Sequence, residues 1–203
     1  EEGNVTVSGT IDWSDAAAAA TLTLNAVNDI TTSANTSTGS LGAIIFNAGG
    51  SITQTGGTLT GEVLTLNAGG SITQTGGTIG AQYLKLVGGT CTLTGAPNYI
   101  ATLAGNVDSL TLNDSSPLKI GTVNGTTGIT ATNSLTFASN YYFKINEPVT
   151  ANKLTLYASG ATTQSAAIDA GALELLGGGS YTLNNGNNNI GTQQGIIGNI
   201  RFP

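Results

Sequence analysis

The sequence predicts an all-β fold, a single-stranded, right-handed parallel β-helix with coils of about 20 residues. Three observations predict it. The heptapeptide Ser-Ile-Thr-Gln-Thr-Gly-Gly stands at residues 51–57 and again, unchanged, at 71–77. A triplet with apolar first and third residues recurs along almost the whole chain. With only 8% of residues charged and 30 glycines among 203 residues, Thr, Ser, Asn and Gln must carry the polar surface and glycine must mark the turns.

The triplets are Leu22-Thr23-Leu24, Ile44-Ile45-Phe46, Leu64-Thr65-Leu66, Leu84-Lys85-Leu86, Leu110-Thr111-Leu112, Leu135-Thr136-Phe137, Leu154-Thr155-Leu156 and Leu173-Glu174-Leu175. Their starts lie 22, 20, 20, 26, 25, 19 and 19 residues apart. Within a triplet the apolar period is two, so both leucines of Leu64-Thr65-Leu66 share a face and Thr65 points away. A second short strand follows at Ser71-Ile72-Thr73-Gln74-Thr75, and a third apolar position comes at Ile79. Asn67-Ala68-Gly69-Gly70 and Gly76-Gly77 supply the bends, because glycine and asparagine reach left-handed backbone angles cheaply.

Three strands and three corners make one coil. A lone coil cannot bury its inward side chains, but the next coil brings matching ones about 4.8 Å away. That is the physical reason for repetition. Antiparallel hairpins compete as a reading, yet they would set the same triplet in two alternating turn environments, and the near-constant spacing favours coils. The right-handed crossover preference supplies the hand. One domain over 1–203 results, with eight to ten coils, and nine levels make a rod about 40 Å long. Residues 87–134 read as irregular, longer coils, with Ala96-Pro97-Asn98-Tyr99 and Asp114-Ser115-Ser116-Pro117 as corner extensions. The expected inward set is Leu22, Leu24, Leu64, Leu66, Leu84, Leu86, Leu110, Leu112, Leu154 and Leu156.

Polar residues recur with the coils. Asn25, Asn47 and Asn67 each follow a triplet, and stacked in register their amides can bond along the helix axis. Gln54 and Gln74 are candidates for a similar ladder; a carbohydrate site is the functional alternative to this structural role. Aligning residues 88–93 on 69–74 puts Leu93 where a third glutamine would stand and Cys91 over the inward-facing Ile72. A buried thiol follows, rather than a reactive one. In Tyr141-Tyr142-Phe143, alternation turns one or two rings inward and leaves another exposed. Tyr99, Tyr141 and Tyr142 are therefore candidate ligand-contacting residues, against a simple core role. The alanines from 16 to 20 are too few for a stable isolated helix, and Trp13 beside them pads the first coil.

Composition removes several functions. Net charge is −6, and the four lysines and Arg201 are scattered singly, so no basic stripe for nucleic acid exists. A single cysteine excludes an internal disulfide and a thiolate cluster. No run of eighteen apolar residues suits membrane insertion, and no basic amino terminus precedes an apolar stretch. There is no histidine. Asp12 with Asp15, and Asp108 with Asp114, are the nearest to paired carboxylates, and a glycosidase needs two about 5 to 10 Å apart. Turn formation is the competing role for both pairs. No regular calcium-ligand motif accompanies either one. No catalytic residue, metal or organic cofactor is expected.

The stretch from Leu64 to Gly77 resembles repeats of the filamentous haemagglutinin-like family. Ile11-Asp12-Trp13 with Leu22-Thr23-Leu24-Asn25-Ala26, and Ile120 to Gly125 with Gly128-Ile129, resemble further units of that class. The likeness spans roughly residues 4 to 195. It implies a piece of the shaft of a large bacterial exoprotein exported by two-partner secretion, secreted or held at the cell surface and serving adhesion, biofilm formation or presentation of a toxin. The partners it implies are adjacent coils of a longer chain and a glycan or protein of a host or neighbouring cell. The family's secretion-domain motifs NPNG and NPNL do not occur here. The competing expectations are a glycan-binding module without catalysis and, behind it, a lyase or hydrolase of acidic polysaccharide, since such enzymes use the same coil shape.

Overall fold

The computed structural model describes residues 3–15, 18–195 and 199–201, with positions 96, 195 and 199–201 described through their backbone alone. It is a parallel β-helix of about nine coils. Nineteen strands join in one sheet, and every pairing within it is parallel. Each coil has three faces. On the first, Leu22 pairs with Ile44, Ile44 with Leu64, and Leu64 with Leu84. On the second, Ile30, Ile52, Ile72 and Cys91 follow one another. The third stacks Ile11, Thr36, Leu59 and Ile79.

The inward set is buried as the alternation requires, with Leu64, Leu84, Leu86 and Leu110 fully enclosed. Leu24 differs, being only half-buried. It stands on the first triplet, where Phe46 covers one side and no earlier triplet covers the other. The alanine run begins at Ala16 and Ala17, outside the described residues, and residues 18–20 form no regular element.

The repeated heptapeptide is a corner piece. Ile52 and Ile72 point inward, Gln54 and Gln74 are buried where the chain turns, and Gly57 and Gly77 take φ of 65° and 78°. A Cβ on Gly77 would lie 2.2 Å from the carbonyl oxygen of Gly57, so both backbone angle and coil spacing demand glycine there.

The triplets do not form one column. Gly105 lies against Leu86, where a Cβ would stand 2.4 Å from the Leu86 carbonyl oxygen, and it pairs onward with Ile129. Leu110 and Leu112 pair onward with Leu135 and Phe137. Both segments belong to one unbroken strand, Thr78–Asp114. Residues 103–105 thus continue the first face, and Leu110 opens the triplet column on the second. From Leu84 to Leu103 is 19 residues, and seven more reach Leu110, so the long step holds an ordinary coil plus a change of face.

Within residues 87–134 the step from Leu110 to its partner Leu135 is longer than the regular coil of about 20 residues. Positions 96–99 lie inside the strand Thr78–Asp114, and residues 115–117 are a short bend before Leu118–Ile120. The true insertion is an antiparallel hairpin, Thr122–Val123 against Thr126–Thr127. Asn124 and Gly125, at φ of 46° and 75°, form its two-residue turn. The hairpin folds back over earlier coils, where Asn124 Nδ2 donates to Thr65 Oγ1 and Lys85 Nζ donates to the Asn124 carbonyl.

Candidate functional site

Two polar systems and one groove comprise the candidate regions. The first system is internal. Gln74 Nε2 donates to Gln54 Oε1 at 3.2 Å, to the Gly77 carbonyl at 3.0 Å and to Asn98 Oδ1 at 2.9 Å. Asn98 Nδ2 returns a bond to Gln74 Oε1, and Asn98 Oδ1 also accepts the backbone N–H of Ile79. One level on, Asp114 Oδ1 accepts the N–H of Ile100 at 2.8 Å, and its Oδ2 accepts the backbone N–H and hydroxyl of Ser116. These side chains close corners where the backbone ladder lapses, which is why such polar groups tolerate burial.

Asn98 and Asp114 were not legible as members of this column, because Leu93 takes the glutamine's place in the register. The same device recurs later. Gln164 and Asn188 bond to each other, Asn188 Oδ1 accepts the Ile168 N–H, and Asn188 Nδ2 reaches the Leu183 carbonyl. Its signal was the Thr162-Thr163-Gln164 echo of the repeat, which follows the triplet Leu154-Thr155-Leu156 as Ile72-Thr73-Gln74 follows Leu64-Thr65-Leu66. Burial raises the Asp114 pKa to about 6, against the lowering effect of its hydrogen bonds.

The second system lies outside. Asn47 Nδ2 donates to Asn25 Oδ1 at 2.8 Å, and Asn67 Nδ2 to Asn47 Oδ1 at 3.4 Å. This ladder edges the first face in contact with solvent. Cys91 is buried, and burial first and Asp108 second push its thiol up to about 12, far from a nucleophile's range. Asp108 is exposed whereas Asp114 is enclosed, and six residues of strand put about 20 Å between them. That geometry does not flank a glycosidic bond. Ser14, through its side chain first and its backbone N–H second, holds the Asp12 carboxyl below the usual range. Among the described residues no three His, Cys, Asp or Glu side chains stand together to hold a metal ion, and no helix is long and apolar enough to cross a membrane.

The groove runs along the outside of the third face. Its first part, about 670 Å³, is floored by Thr60, Gly80 and Ala101 and edged by Ser37, Glu62 and Tyr99. Its second part, about 410 Å³, shares Gln82, Ala101 and Ser116 with the first and ends at Lys119, Tyr142 and Lys144. The small floor residues create the depression; Gly80 and Ala101 replace the long outward side chains found further along. Tyr99 and Tyr142 are about half exposed, at 52% and 46%. Phe143 turns inward against Phe137, with ring centroids 5.2 Å apart, so alternation leaves Tyr142 outward. Tyr141 is exposed as well but does not line the groove.

Fold and sites together define a parallel β-solenoid scaffold with an open outer groove. Comparison of the chain with family models, curated proteins and solved structures finds no match to any of them.

Proposed function

We propose that this chain is a non-catalytic, structural and adhesive shaft segment of an exported bacterial exoprotein displayed at or beyond the cell surface. The filamentous haemagglutinin-like resemblance supplies the export and display. The observation that carries the reading is the side-chain register held over successive coils, exemplified by Leu22, Ile44, Leu64 and Leu84 in one column. Residues arranged this way serve stacking, and chemistry would require charged groups converging on one outer face instead. In this role the chain needs no metal or organic cofactor. It stacks on adjacent coils of a longer chain and meets a glycan or protein of another cell.

The test is a pair of assays on the full chain. Surfaces coated with it should retain cells, and soluble acidic polysaccharides should release no product during incubation with it. Turnover that disappears in Asp108→Asn or Asp114→Asn would overturn the non-catalytic reading in favour of a lyase or hydrolase.

A further inference from the structure

We propose that the groove of the third face binds an extended acidic glycan, with sugar rings against Tyr99 and Tyr142 and a carboxylate or sulfate held by Lys119 and Lys144. Lys119 and Lys144 are register partners on neighbouring strands. Their backbones are therefore about 4.8 Å apart, and both side chains leave the same face. Like charges placed directly opposite on a sheet destabilise it. No counter-charge offsets this pair, since the one ion pair among the described residues joins Lys153 to Glu174, away from the groove. In a chain of net charge −6 with only five basic residues, two of them stand side by side where a cavity ends.

Shape and surface chemistry complete the assignment. The two cavity parts share three lining residues and so make one elongated trough rather than a closed pocket. Tyrosine faces with neighbouring hydroxyl and amide groups suit the apolar faces and hydroxyls of a sugar chain. Lys144 Nζ already lies 5.0 Å from the Tyr142 ring centroid, which ties the cationic end to the aromatic surface. Glu62, in the other part of the trough, sets a polarity: the anionic group belongs at the lysine end. An extended peptide is disfavoured because the trough floor is the outward face of an already paired sheet, whose backbone groups are engaged within the ladder.

This proposal rests on the adhesive part of the function above and assigns it a ligand. Binding of the full chain to three oligosaccharides of equal length, one uronate-bearing, one sulfated and one neutral, tests it. At least one acidic chain should bind about tenfold or more tighter than the neutral one, and the stronger of the two identifies the anionic group. Lys119→Gln with Lys144→Gln should remove that preference, and Tyr142→Ala should weaken acidic and neutral chains alike. Tyr157→Ala, on an exposed site outside the groove, should change nothing. Equal binding of neutral and acidic chains, full binding by the lysine double variant, or no binding at all would overturn it. Cell retention by the coated chain separates the two readings. Retention unaffected by all groove variants would sink the groove and leave the adhesive shaft intact, whereas loss of retention by every form would sink the adhesive reading itself.

Discussion

At the scale of single residues, the two sides of one strand should respond in opposite ways. Leu66 is enclosed between Phe46 and Leu86, and Thr65 beside it faces out toward the hairpin. Leu66→Asp places an unpaired carboxylate in an apolar interior and should cost at least the ~2–5 kcal/mol of a buried leucine truncation. Thr65→Asp should cost about 1 kcal/mol or less. Thermal unfolding distinguishes them, and equal losses would contradict the assigned faces. Asp114 gives a pH signature. Its folded pKa of about 6 lies above the ordinary aspartate value of 3.8, so the fold binds its proton more tightly than the unfolded chain does. Stability from this group is therefore fully present below about pH 4 and is lost as pH rises through 6. Denaturant unfolding at pH 4.5 and 7 should show a gain on acidification that shrinks in Asp114→Asn; an unchanged gain in that variant would assign the effect elsewhere.

At the scale of the coil, glycine decides where a corner fits. Gly77 combines a left-handed φ with a 2.2 Å approach to the preceding coil, whereas Gly178 has open space around it. Gly77→Ala should cost more than about 2 kcal/mol and Gly178→Ala a few tenths at most. Chemical denaturation of both variants checks the contrast. The corner glycines, the strand faces and the Cys91-on-Ile72 register were all legible in the sequence, because each follows from period two and a repeated heptapeptide. The hairpin was marked by Asn124-Gly125, a two-residue turn signal that the coil pattern absorbed. Asn98 and Asp114 were legible at corners but not as members of a buried polar column, since the groups they bond come from neighbouring coils and Leu93 interrupts the glutamine repeat.

On the scale of the whole molecule, local pattern misleads in one place. Leu84 and Leu110 look like successive rungs of one ladder, but the triplet moves to the next face between them. Nothing in a triplet names its face, because an inward Leu-Thr-Leu satisfies any of the three. The groove likewise arises only when Gly80, Ala101 and Ser116 from separate coils line up beneath Tyr99 and Tyr142. The account as a whole depends on coils stacked parallel and in register. The Oγ atoms of Ser51 and Ser71 are 3.3 Å apart across one coil spacing, and adjacent parallel strands meet the geometry of a disulfide. The most direct test is oxidation of cysteine pairs in the full chain, with the buried Cys91 left in place. Ser51→Cys with Ser71→Cys should close readily, while Thr31→Cys with Thr73→Cys, two coils apart and about 10 Å distant, should stay open. Closure of Ser51→Cys with Thr75→Cys in place of the Ser51–Ser71 pair would show antiparallel or shifted pairing and contradict the account.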